Sequence, residues 1–299
     1  MPSKVESVRT SSLEIFYEDS GAQVGAPVFL MHGWPYGPRV YDAVVPILVD
    51  AGCRTIVPYL RGFGPTRFLS AETLRSGQQA ALGDDLRQLM DALHIRKAIL
   101  VGYDWGGRAS CVAAALWPDR VRALVTGDGY NIQDIPNSGT PAAAEREWRQ
   151  WYQYYFHLER GRAGLRTNRR EICRLLWRLW SPHWEFDEET FLQTAVSWDN
   201  PDFVDVTIHS YRHRYGNAPA EPTLEPIERA LASQPPIPVP AIVLHGEANG
   251  IAPEMSDAHR RKFLNLVEHR TIPRAGHNLP AEVPRDVSDA VLSLMKASG

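Results

Sequence analysis

Cysteine is scarce: Cys53, Cys111 and Cys173 are the only three in 299 residues. They are odd in number, widely separated and outside any CxxC spacing, which excludes a disulfide framework and the usual ligand spacing of a structural zinc site. Reduced, mostly buried thiols are expected. Long apolar runs are missing as well. No stretch of about 18 apolar residues is available to span a membrane, and the opening segment MPSKVESVRTSSLEIFY holds no apolar core of signal-peptide length. A soluble, cytoplasmic protein is the expectation. Nor does charge of one sign accumulate: 32 lysines and arginines are interspersed with 35 aspartates and glutamates, for a net charge of −3. That leaves no basic footprint for nucleic acid and no acidic tail. There is no internal repeat and no low-complexity segment. The length fits one large α/β domain or a domain with an insertion, and the expected partner is a small molecule.

What is present is an alternation. Short apolar, β-branched runs recur at LEIFYE (13–18), PVFLMHG (27–33), RTIVPYL (54–60), KAILVGY (97–103), RVRALVTGD (120–128), AIVLHGE (241–247) and EHRTIP (268–273). The later runs read as buried strands of a largely parallel sheet. Between them VYDAVVPILVDAG, LGDDLRQLMDALHI and GRASCVAAALWP carry apolar residues at three- and four-residue spacing, as amphipathic helices do. This predicts a doubly wound α/β fold. From residue 134 to 223 the pattern changes to helical segments rich in arginine and aromatics, EREWRQWYQYYFHLERGRAGL and NRREICRLLWRLW. That segment is expected to be an inserted helical cap on a core formed by 1–133 and 224–299. The proline-rich QPPIPVP (234–240) marks the return to the core.

Within this frame, Gly102-Tyr103-Asp104-Trp105-Gly106 stands where a strand gives way to a helix. Glycines on either side permit a sharp, strained turn that thrusts the central side chain out at the top of the sheet. Esterases carry GxSxG at such an elbow; here the nucleophile position holds aspartate. The alternative is an aspartate that merely caps the helix. Two further stretches bear on the choice. MHGWP (31–35) follows an early strand, where a backbone N–H after HG can help stabilise an oxyanion. PRAGHNLPAEVP (273–284) places His277 in a turn after the last strand. The order nucleophile, acid, histidine is that of α/β-hydrolases.

With HGWP, GYDWGG and GHN, the chain resembles the α/β-hydrolase superfamily, in the branch of epoxide hydrolases and haloalkane dehalogenases, over nearly its whole length. RGFGPT (61–66) also resembles the family's RGxGxS turn, although Tyr59 and Leu60 stand where an aspartate is often found nearby. The resemblance implies that Asp104 attacks saturated carbon to form an enzyme ester. Water activated by His277 then hydrolyses that ester, with the N–H groups of Trp34 and Trp105 as the oxyanion hole. No cofactor or metal is implied.

The acid departs from the commonest pattern. Three residues past the glycine of AIVLHG stands Asn249, and an amide can hold an imidazole but cannot stabilise its positive charge; in one serine protease such an exchange lowers turnover by roughly 10⁴. Some haloalkane dehalogenases carry their acid where Asp128 stands, so Asp104, His277 and Asp128 are read as the triad. Glu247 is the weaker substitute, and a plain turn residue before Gly129 is the alternative for Asp128.

The cap decides the leaving group. In epoxide hydrolases two cap tyrosines donate to the ring oxygen, in stretches that match Tyr152 of WYQYYF and Tyr211 of IHSYRHRYGN; Tyr154, Tyr155 and Tyr215 are expected to pack. The runner-up is a haloalkane dehalogenase using the Trp105 indole, with Trp34, Trp148 or Trp151 as second donor. A haloacid is less favoured, since fluoroacetate-type enzymes use two arginines and this chain has Trp105 at the first position and Arg108 only at the second. A non-catalytic binding protein on a hydrolase fold is the alternative from another class, with Asn249 as its support. Arg160, Arg162, Arg166, Arg169, Arg170, Arg174 and Arg178 are expected to form a solvated face paired with Glu159, Glu171 and neighbours. Trp177, Trp180 and Trp184 either roof the pocket or pack. The implied partners are a small apolar or aromatic substrate and water, with no nucleic acid and no membrane. A homodimer is compatible with the sequence.

Overall fold

The computed structural model describes residues 4–297. Each of the seven apolar runs forms a strand: β2 (Leu13–Ser20), β3 (Ala26–Met31), β4 (Cys53–Pro58), β6 (Ala98–Gly102), β7 (Val121–Gly127), β8 (Ala241–Gly246) and β9 (Leu266–Ile272). Two more were not expected. β1 (Lys4–Arg9, KVESVR) is a half-polar edge strand, and β5 (Arg67–Phe68) is a two-residue addition beside β2. Neither carries an apolar run, because edge strands are covered on fewer sides.

The sheet runs β1-β2-β4-β3-β6-β7-β8-β9, antiparallel as far as β4 and parallel from there. Every residue of β6 and β8 is buried, as strands covered on both faces require. One face packs α1 (Val44–Asp50) and the long C-terminal helix. The other packs α2 (Gln79–Ala92) and α3 (Asp104–Leu116). α3 begins at Asp104, three residues ahead of the expected helical run GRASCVAAALWP. Strand order reverses at β3, and in such sheets ligands enter the crevice beyond the carboxyl ends of the strands at that point. Arg61 of the RGFG turn is buried and forks onto Asp85 of α2 at 2.6 and 2.7 Å, while also donating to the Ser76 carbonyl. This bidentate pair pins the turn to the helix.

Between β7 and β8 lie the helices that we propose as the cap. The first aromatic stretch divides into α4 (Ala144–Arg149), α5 (Trp151–His157) and α6 (Glu159–Thr167), broken at Gln150 and at the extended Leu158. α7 (Arg169–Trp180), α8 (Glu188–Ala195) and α9 (Phe203–Arg214) follow, and α10 (Glu225–Ala232) returns to pack on α2. The cap arginines do pair with acids, though largely others than those expected. Arg162 meets Asp205 and Glu159, Arg170 meets Asp199, and Arg174 forks onto Glu188 at 2.6 and 2.7 Å. Cys53, Cys111 and Cys173 are buried free thiols. Among the described residues no helix is long and apolar enough to cross a membrane.

Candidate active site

The carboxyl ends of the parallel strands deliver the site. Trp34 follows β3, Asp104 follows β6, Asp128 follows β7, Asn249 follows β8 and His277 follows β9. Both aspartates have left-handed backbones, φ +50° at Asp104 and +64° at Asp128, a conformation that aspartate tolerates better than most residues and that costs about 1–3 kcal/mol. At the elbow the strain depends on close approach of α3 to β3: a Cβ on Gly106 would stand 1.9 Å from the Met31 carbonyl oxygen. Gly106→Ala is accordingly expected to destabilise the fold by about 1–3 kcal/mol, read as a lower urea midpoint at unchanged slope.

Asp104 Oδ1 accepts the Trp34 backbone N–H at 2.7 Å, and its Oδ2 lies 3.8 Å from His277 Nε2. The second distance is an ion-pair contact rather than a hydrogen bond. The Trp105 N–H belongs to the first turn of α3, whose N–H groups have no carbonyl partner within the helix. On its other side His277 Nδ1 lies 3.1 Å from Asp128 Oδ2. The loop bearing His277 is clamped from the cap, where Ser181 Oγ accepts the His277 N–H at 3.0 Å.

Asn249 has a different task from the one its position suggests. Its Oδ1 accepts the N–H groups of Ile251 and Ala252 at 3.0 and 2.9 Å, which turns Nδ2 toward Asp128 Oδ1 at 2.9 Å. The same Nδ2 is 3.3 Å from His277 Nδ1, but when that nitrogen carries a proton, 3.1 Å from Asp128 Oδ2, two donors face one another and form no bond. The amide thus holds the acid. Glu247, the weaker substitute, does not reach the histidine: the β8 alternation turns His245 inward, and Glu247 is exposed beside the Arg274 N–H at 3.4 Å. His245 was not anticipated. Buried, it sets Nδ1 3.3 Å from Asp128 Oδ1. Its only sequence signal was its place at the end of a buried strand.

Burial opposes ionisation of Asp104, yet His277 beside it, with Arg108 and the Trp34 N–H, holds its carboxyl below the ordinary range. Burial likewise opposes ionisation of Asp128, but His245 and His277 hold that carboxyl down. Burial would lower the His277 pKa, and the two aspartates overcome it and push it up to about 9. An imidazolium between two carboxylates is the resting arrangement at neutral pH.

Tyr152 (α5) and Tyr211 (α9) come together above Trp34. Tyr152 stacks on the indole at 5.8 Å, Tyr211 meets it edge-on at 5.3 Å, and the two phenol rings are 5.3 Å apart. Burial and the Asp104 charge raise both phenol pKa values, so both keep their protons. The Gln153 amide donates to the Tyr152 oxygen at 3.1 Å, leaving that O–H free to donate elsewhere. Trp180 completes the roof, 5.2 Å from Tyr152 and 5.3 Å from His277. Trp177 instead donates to the Pro35 carbonyl and packs on Trp184. Of the tyrosines expected to pack, Tyr155 is half-buried and Tyr215 donates to Gln153 at 3.0 Å, whereas Tyr154 is exposed. A cavity of about 710 Å³ opens onto Asp104, His277, Tyr152, Arg108 and Arg214, a size typical of small-molecule sites.

Residues 26–283 match the model of the alpha/beta hydrolase fold family. The chain belongs to the α/β-hydrolase family. A solved structure from Klebsiella pneumoniae, provisionally described as an epoxide hydrolase, is 45% identical, with 98% of this chain and 97% of that one covered and a TM-score of 0.95. A haloalkane dehalogenase of Mycobacterium marinum is 29% identical over 53% of this α/β-hydrolase, a match spanning about half of that protein's length, 52%. An epoxide hydrolase of Caballeronia sordidicola is 31% identical over 40% of this chain and 36% of its own. This α/β-hydrolase is therefore an enzyme similar to epoxide hydrolases and haloalkane dehalogenases.

Proposed function

We propose that this α/β-hydrolase opens an epoxide to a vicinal diol through an ester on Asp104. The observation that carries the reading is the pair of protonated phenols, Tyr152 and Tyr211, within electrostatic reach of the Asp104 carboxylate. A carboxylate attacking a ring carbon breaks the C–O bond and leaves an alkoxide, which needs an acid to meet it. One phenol gives its proton to that oxygen. Esterification removes the Asp104 charge, so His277 loses one of the two carboxylates that held its proton, and that proton restores the phenol.

Neutral His277 then takes a proton from water as the water oxygen attacks Asp104 Cγ, and the Trp34 and Trp105 N–H groups receive the oxyanion. The intermediate collapses by breaking the bond between Cγ and the diol oxygen, which takes the proton from His277. The carboxyl left on Asp104 returns its proton to His277, and the resting state is restored. One water is consumed and one diol released.

Tyr152→Phe and Tyr211→Phe are each expected to slow epoxide turnover by well over tenfold, above about 1.4 kcal/mol of barrier. Unchanged rates in both variants would remove the phenols from the mechanism. Halide release is the second reading, and one feature favours it: the Trp105 indole N–H is buried without a partner among the described residues. The Trp34 indole, by contrast, is committed to the Thr207 hydroxyl at 2.9 Å, so it is not free as a second halide donor. Incubation with terminal and aryl epoxides and with haloalkanes, following diol and halide separately, tests the choice. Diol without halide is expected; halide without diol would reverse it.

A further inference from the structure

Arg108 takes part in no step of the reaction above and acts there only through its charge on Asp104. It lies one helical turn beyond Asp104 on α3, on the same face, and is 7% exposed. Its Nε and Nη1 have no hydrogen-bond partner, and it makes no ion pair among the described residues. A buried guanidinium without a carboxylate is costly, because desolvation is uncompensated. Its charged neighbours are Arg214, at the end of α9, and Asp104, and all three line the same cavity. Arg214 is held by neutral groups, donating to Gln153 Oε1 at 3.0 Å and lying 5.0 Å over the Tyr211 ring.

The acids of the cavity wall are engaged elsewhere. Glu147 binds the Ala142 N–H and Tyr154, Asp134 accepts from Asn137, and Glu254 accepts from Thr271. Asp128 belongs to His277, and Asp104 lies beyond ion-pair distance of Arg108. Glu147, Asp134 and Glu254 keep their charge, but none of the cavity's carboxylates forms an ion pair with Arg108 among the described residues, so its guanidinium has no direct counter-ion.

We propose that Arg108 and Arg214, one from the core and one from the cap, form a carboxylate subsite, and that the substrate is an epoxide bearing a carboxylate within a few bonds of the ring. This rests on the epoxide reading above. A guanidinium fork presents parallel N–H donors to both oxygens of a carboxylate, and binding it between core and cap orients the ring against Asp104.

The test compares epoxy carboxylates, with zero to three methylenes between ring and carboxylate, against their primary amides in the intact enzyme. We expect kcat/KM to favour at least one carboxylate over its amide by more than tenfold, and this ratio to fall by tenfold or more in Arg108→Gln and in Arg214→Gln. Arg108→Lys, which keeps charge but loses the fork, is expected to fall between. Amides turned over as well as every carboxylate, or a ratio unmoved by Arg108→Gln in folded protein, would overturn the subsite. Calorimetric titration with benzoate and benzamide separates this from the epoxide reading. If no epoxide is opened but benzoate binds in preference to benzamide and Arg108→Gln abolishes that preference, the subsite stands and the reaction assignment falls. Equal binding of the two, or none, overturns the subsite.

Discussion

Asp104→Asn is expected to remove diol formation almost completely, by roughly 10⁶-fold, the scale on which a hydrolase loses activity with its nucleophile. Asparagine keeps the left-handed backbone at φ +50° about as readily as aspartate, so the loss reports chemistry rather than collapse of the elbow. The variant has a second consequence that a merely structural aspartate would not produce. With one of its two carboxylates neutralised, His277 should titrate well below the value of about 9 it has beside both. The sign is fixed: an anion lost from beside an imidazolium can only lower its pKa. Nitrogen chemical shifts of His277 across pH measure this. A His277 titration unchanged by the substitution would show that Asp104 does not act on it.

Asp128→Asn should affect one half of the reaction and spare the other. Attack by Asp104 does not need the His277–Asp128 pair, but water activation does. Ester hydrolysis is therefore expected to slow by on the order of 10⁴ while ester formation continues, so that the alkyl-enzyme accumulates and is visible by mass spectrometry. Asn249 offers a rescue. Its side chain is 3.3 Å from His277 Nδ1 and its Oδ1 is anchored by two backbone N–H groups, so Asn249→Asp would put an anionic oxygen against the imidazole. The double variant Asp128→Asn/Asn249→Asp is expected to regain part of the lost hydrolysis. Unimpaired hydrolysis in Asp128→Asn would end the case for the acid at β7.

Some of this was legible in the chain and some was not. Continuous apolar runs gave the central strands, because residues buried on both faces leave no polar positions to blur the pattern; KVESVR was missed because an edge strand is half polar. Asp104 and His277 were readable because each sits in a glycine-marked turn whose backbone demands leave a local trace. Asp128 was readable only through a resemblance. The turn role of Asp128 and its contact with His277 coexist, since the left-handed backbone aims the carboxylate.

What escaped the sequence is what depends on distant segments meeting. Asn249 was read as an acid's vacancy, yet its amide is fixed by the N–H groups of its own loop and supports an acid 121 residues earlier in the chain. Glu247 fails because a two-residue step along β8 from His245 carries it past the strand end to the surface. Arg108 looked like half of an incomplete pair; the cavity supplies Arg214 from another element. No local pattern marks a guanidinium that lacks a partner.

The claim on which the rest depends is that Asp104 forms an ester, and one single-turnover measurement tests it. Enzyme in excess is mixed with an epoxide in oxygen-18 water, and both the diol and the peptide containing Asp104 are weighed by mass spectrometry. The account predicts the label in the Asp104 carboxylate and none in the first diol released. Label in that diol with none in Asp104 would mean that water opens the ring directly, contradicting the role of Asp104 as nucleophile.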